Sequence, residues 1–152
     1  GDLATNQFRY SMIHKDPELD ILPYCIENDI GSITYMSLEQ GLLTGKINFE
    51  RKFEEHDWRN NAGQWLPWFK KENLARLLNM FSLWEDLLDK YTCSIAQLTL
   101  AWSAAQPGAT HILCGAKSIY QVISNAKSGF FTLSDTEINR LNQDINNLGD
   151  PI

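Results

Sequence analysis

The stretch His111-Ile-Leu-Cys-Gly-Ala-Lys-Ser-Ile-Tyr-Gln-Val-Ile-Ser-Asn125 reads as a short buried strand, His111 to Cys114, that breaks at Gly115 and turns straight into a helix. Ser118 and Gln121 have capping-box spacing, so the Ser oxygen can accept from a free N–H of the first turn while Gln reaches back. A helix start carries unpaired N–H groups and a partial positive charge, which suits an anion such as phosphate. Gly115 allows close approach to the backbone, and Lys117 adds a full cation beside it. Gln121 and Asn125 are four apart and share a helix face. Two readings stand side by side: phosphate capture at the turn, or an ordinary capped helix with a solvated lysine.

With 152 residues, 43% hydrophobic and 21% charged, the chain has material for one core, and a single domain over 1–152 is expected. The net charge of −6 argues against nucleic acid or an anionic membrane as the main partner, while leaving room for a local anion site at Lys117. No signal peptide is read, and no apolar run approaches the roughly 18 residues of a membrane span. Cys25, Cys93 and Cys114 lack metal-type spacing and suit reduced core thiols, which points to a cytoplasmic protein. His14, His56 and His111 are scattered, so no metal site is expected.

The chain opens with a strand-like segment from Asp2 to Ser11. Asp20 can cap a helix carrying Pro23 in its first turn and running to about Asn28, with Gly31 just beyond. Gly31 to Tyr35 is a second strand, followed by the Gly-punctuated segment Met36 to Lys46. Residues 47–72 lack periodicity but hold Phe49, Phe53, Trp58, Trp65, Trp68 and Phe69, which predicts a folded flap packing mainly on the protein's own core. Leu74, Leu77, Leu78, Phe81, Trp84, Leu87, Leu88 and Tyr91 mark one face of a long amphipathic helix. Ser94 with Gln97 and Ser134 with Glu137 open two further helices. The first buries Ile95, Leu98, Ala101 and Trp102, and the last buries Ile138, Leu141, Ile145 and Leu148.

Strands alternating with helices predict an α/β arrangement with about three parallel strands (near 3–10, 31–35 and 110–114) and four to five helices. Three strands make a narrow sheet with two free edges, and such edges invite pairing, so a homo-oligomer is expected.

Several segments in order resemble the aldo-keto reductases: Asn6-Gln7, Leu22-Pro-Tyr-Cys25, Gly31-Ser-Ile-Thr-Tyr35 and Gln40-Gly-Leu-Leu-Thr-Gly-Lys46. Ala96-Gln-Leu-Thr-Leu-Ala-Trp102, Gln106-Pro-Gly108 and Gly115-Ala-Lys-Ser118 with Gln121 and Asn125 continue the match, from about residue 3 to residue 148. The resemblance implies the last three βα units of a TIM barrel that reduces carbonyls with NADPH; a full barrel needs about 250 residues. It implies that Gln7 bonds the nicotinamide carboxamide, that Tyr35 stacks on the nicotinamide ring, and that Leu38, Gln40 and Gly41 lie along the pyrophosphate. It places Gly115, Lys117 and Ser118 at the adenosine 2′-phosphate, and Gln121 and Asn125 near the adenine. Where the family often has Tyr-Ser-Pro-Leu, this sequence has Tyr35-Met-Ser-Leu38: Met36 cannot make the hydrogen bond of a serine, and Ser37 loosens a turn that proline would fix. The family's catalytic Asp, Tyr, Lys and His come from the earlier half of the barrel, and no motif here corresponds to them. The chain is therefore expected to bind cofactor weakly and to be inactive alone, or else to be a non-enzymatic, self-assembling derivative.

Overall fold

A computed structural model describes residues 3–152. Three parallel strands, β1 (Thr5–Arg9), β2 (Gly31–Tyr35) and β3 (His111–Ile112), form one open sheet in the order β1-β2-β3. Asp2, the expected start of the first strand, lies outside the described residues. Beyond Arg9 the Tyr10 N–H still donates to Tyr35 O at 3.1 Å, so pairing outlasts the regular strand by one residue.

Helix α1 (Ile21–Glu27) links β1 to β2 and starts as expected at Asp20, whose carboxylate accepts from the Ile21 N–H at 2.6 Å. The β2-to-β3 connection is longer. It holds short 3-10 segments, then α2 (Lys71–Ser82), α3 (Glu85–Tyr91) and α4 (Ile95–Ala104). Helices α5 (Ile119–Ala126) and α6 (Asp135–Leu148) follow β3. Ser94 with Gln97 and Ser134 with Glu137 form complete capping boxes on α4 and α6.

The single long helix expected over residues 74–91 is two, giving six α-helices among the described residues in place of four or five. The N–H groups of Leu83 and Trp84 bond three residues back, to Met80 O and Phe81 O, and Trp84 leaves the helical course at ψ 8°. Its fully buried indole donates to Asp144 Oδ2 on α6 at 2.9 Å. Burying a large aromatic group contributes roughly 1.5–3 kcal/mol, more than one ladder bond of about 1 kcal/mol. Tertiary packing therefore wins over helix continuation.

The core lies on one side of the sheet. Phe8, Tyr10, Ser32 and Thr34 point toward the helices and are buried, with Trp102, Leu98, Leu22 and Leu141 packed beyond them. The other side carries Gln7, Ile33, Tyr35, His111 and Leu113 and stays largely open, an unusual condition for a parallel sheet. This corrects the expectation of a buried third strand: β3 is two residues long, His111 is exposed and Leu113 is 46% exposed. Helix α5 likewise buries no residue, although Ile119, Tyr120, Val122 and Ile123 are apolar. In the aromatic segment, Trp68 is buried and Phe53 and Phe69 pack on the core, whereas Phe49, Trp58 and Trp65 remain exposed. Core packing accounts for half of that flap.

Candidate functional site

Parallel strands deliver their following loops to one edge of the sheet, and there the expected site residues collect. Gln7 and Tyr35 lie on the same open face, with Tyr35 in register with Arg9 at the strand ends. Leu38, Gln40 and Gly41 form the turn after β2, and Gly115, Lys117 and Ser118 form the turn after β3, ahead of Gln121 and Asn125 on α5.

The turn after β2 is strained. Met36, Glu39 and Gln40 have φ of 61°, 44° and 58°, and Gly41 follows at 103°. Each non-glycine residue in this region costs roughly 1–2 kcal/mol, so the turn needs outside support. The sheet supplies part of it: Arg9 donates from Nε to Glu39 Oε1 at 3.1 Å and from Nη2 to Oε2 at 2.6 Å, and Ser11 Oγ donates to Oε1 at 2.7 Å. The flap adds Arg59 Nη1, which donates to Gln40 O at 3.3 Å, and the turn closes on itself through the Gly41 N–H to Leu38 O bond at 2.9 Å. Ser37, where the family often has proline, is buried within this turn, 1% exposed.

Arg59 is itself fixed by a forked ion pair with Asp57, including an Nε to Oδ1 bond of 2.9 Å, and lies 4.4 Å over the Phe53 ring. Hydrogen bonds from the Arg59 side chain and backbone hold the Asp57 carboxyl well below the usual carboxylate range, and the Lys117 charge adds to the effect.

At that second turn, Ser118 Oγ accepts from the Gln121 N–H at 3.2 Å, as its spacing predicts. Gln121 does not complete the box. Its Oε1 accepts from the Lys117 N–H at 2.5 Å, one residue earlier than expected; Ser118 has φ −152°, where the caps with complete boxes, Ser94 and Ser134, have −91° and −73°. Asn125 Nδ2 donates to Gly115 O at 3.4 Å. No atom lies within 4 Å of where a Gly115 Cβ would sit, so the backbone there is open to a ligand. The Lys117 side chain has no hydrogen bond or ion pair among the described residues, where no cluster of three or more His, Cys, Asp or Glu groups is placed to hold a metal.

A nucleotide fits these groups. Ser37 Oγ and Gln40 Oε1 are buried without a partner among the described residues; the first can donate to a phosphate oxygen, the second can accept from a sugar hydroxyl. Arg9, Glu39, Asp57 and Arg59 escape a reading of the sequence. Arg9 and Glu39 are 30 residues apart, with no local pattern joining them. Asp57 carried a findable signal: its carboxylate accepts from the Arg59 N–H two residues on, at 3.0 Å.

The aldo/keto reductase family profile matches residues 2–146. The NADH-specific methylglyoxal reductase of Escherichia coli K12 is 36% identical over 137 residues, 90% of this chain and 40% of that protein. Aldo-keto reductase YhdN of Bacillus subtilis is 32% identical over 152 residues, 99% of this chain and 45% of that protein. The structure of a glycerol dehydrogenase from Gluconobacter oxydans superposes with a TM-score of 0.84 at 30% identity, over all of this chain and 45% of that one. The chain spans less than half the length of these relatives. In ancestry and in fold it belongs to the aldo/keto reductase family.

Proposed function

We propose that this chain binds NADP(H) across the C-terminal edge of its sheet, as the cofactor-holding part of an aldo-keto reductase barrel, and does not reduce carbonyls alone. The observation that carries this reading is the pairing of two turns: one with buried, unpartnered polar atoms, the other with an open backbone and a free lysine. Gln7 and Tyr35 would hold the nicotinamide, Leu38, Gln40 and Gly41 the diphosphate, and Gly115, Lys117 and Ser118 the 2′-phosphate. Gln121 and Asn125 would flank the adenine. A nicotinamide held by Gln7 and Tyr35 would offer hydride chemistry to a carbonyl carbon only in a completed barrel. The proton for the carbonyl oxygen needs a positioned acid, and the family's acid belongs to barrel segments that this chain's motifs do not include. A cytoplasmic setting is supported by the three free thiols.

Fluorescence titration tests the site. A charge-assisted phosphate contact contributes about 1.5–3 kcal/mol, so Lys117→Ala should weaken NADPH about 10- to 100-fold and affect NADH little. Equal affinity for the two nucleotides, indifferent to Lys117→Ala, overturns the 2′-phosphate assignment. Adding an aldehyde should cause no NADPH oxidation, and clear turnover would sink the claim of inactivity.

The open sheet favours a second reading, in which the chain is a self-associating, non-enzymatic protein. The edges of β1 and β3, the face bearing Ile33 and Leu113, and the apolar residues of α5 all lack cover. Sedimentation at micromolar concentration should show an oligomer; a monomer counts against it.

A further inference from the structure

Glu39 presents a problem that the proposed cofactor role does not answer. It is a carboxylate, 4% exposed, in the very turn that would lie along an anionic diphosphate. Both its oxygens are consumed: Arg9 grips them with two nitrogens, and Ser11 donates to one of them. The turn around it, Glu39 to Gly41, runs through three left-handed residues in succession; the Gly41 N–H closes it locally on Leu38 O at 2.9 Å, but that bond leaves the left-handed cost at Glu39 and Gln40 to be met from elsewhere. Arg9 stands at the end of β1, in register with Tyr35, so the rigid sheet is its anchor.

We propose that Arg9 is a positioning residue for the dinucleotide site, acting through Glu39: it fixes the left-handed turn and offsets the buried negative charge of Glu39 beside the diphosphate. The proposal rests on the NADP(H) reading above. Glu39 engages the guanidinium at Nε and Nη2, while the side chain stays 36% exposed with Nη1 outside the grip, so hydrogen exchange separates an effect passed through the turn from direct contact with a nucleotide. A lysine could reach Glu39 but could not make the two-pronged grip that sets its orientation.

Amide hydrogen exchange combined with NADPH titration decides it. Arg9→Met should speed exchange over residues 36–41 about tenfold while leaving α2 and α4 unchanged, and should weaken NADPH by about tenfold. Arg9→Lys should fall between. The exchanged pair Arg9→Glu with Glu39→Arg should recover much of both losses, and the neutral pair Arg9→Met with Glu39→Gln should recover affinity more than rigidity. Unchanged exchange in Arg9→Met overturns the proposal, whether or not affinity falls, since a loss of affinity alone means direct contact. If the unaltered chain fails to bind NADPH, the cofactor reading fails by itself, and the exchange data still decide whether Arg9 holds the turn.

Discussion

Two glycines predict opposite responses to the same methyl group. Gly108, in the Gln106-Pro-Gly motif that ends α4 and feeds β3, has φ +81°, and an added Cβ would meet Ile26 Cγ1 at 2.9 Å and Leu22 Cδ2 at 3.4 Å. A left-handed alanine costs roughly 1–2 kcal/mol. Ile26 must shift, its Cγ1 and Cδ1 lying at 2.9 and 3.0 Å, and although it is 56% exposed the contact with Leu22 at 3.4 Å leaves the new methyl no slack on that side, so crowding adds about 1 kcal/mol. The sum, about 2–3 kcal/mol, corresponds to a fall in Tm of about 5–10 °C for a chain of this size. Gly115→Ala meets no atom within 4 Å and should leave Tm within about 2 °C. Thermal unfolding followed by circular dichroism on the two variants makes the comparison. Matching melting points would show that neither backbone conformation nor the contact with α1 constrains the entry to β3.

Two further expectations concern the surface. Burial raises the Glu137 pKa, but hydrogen bonds from Lys90, Ser134 and Tyr91 win and hold it at about 2, below its usual 4.5. A carboxyl depressed in the folded state stabilises fully above its unfolded value, and that stability drains as pH falls from 4.5 toward 2. Glu137→Gln should therefore melt lower than the parent at pH 6, with the gap closing by pH 2.5; a gap independent of pH contradicts the assignment. Arg59→Ala removes the Asp57 pair and the bond to Gln40 O, and should expose residues 53–65 to limited proteolysis while α4 stays intact.

The helical half of the fold could be read from local chemistry. Ser94 with Gln97 and Ser134 with Glu137 are caps whose parts lie within one turn, and the Leu74-to-Tyr91 stripe names residues that are indeed buried or packed on the core. What escaped depends on distant partners. Trp84 breaks its helix to reach an acceptor 60 residues on, and Arg9 finds Glu39 across 30. The run Ile112-Leu113 looks the same whether a neighbour covers it or not, so its apolar character suggested burial that the open sheet does not provide. For the candidate site, the turn at Gly115–Ser118 was visible because its groups are contiguous. The clamp on the other turn is assembled from β1, the flap and the turn itself.

The open strand face has a chemical consequence. A carbonyl oxygen gathering negative charge above Gln7 and Tyr35 would be solvated by mobile water instead of fixed dipoles. At 4 Å a counter-charge is worth about 1 kcal/mol in bulk water and about 4 kcal/mol at an effective dielectric constant of 20. A lid over that face would do more than fence in a reactant: it would sharpen every electrostatic interaction beneath it, and so divide a molecule that merely holds a dinucleotide from one that can use it.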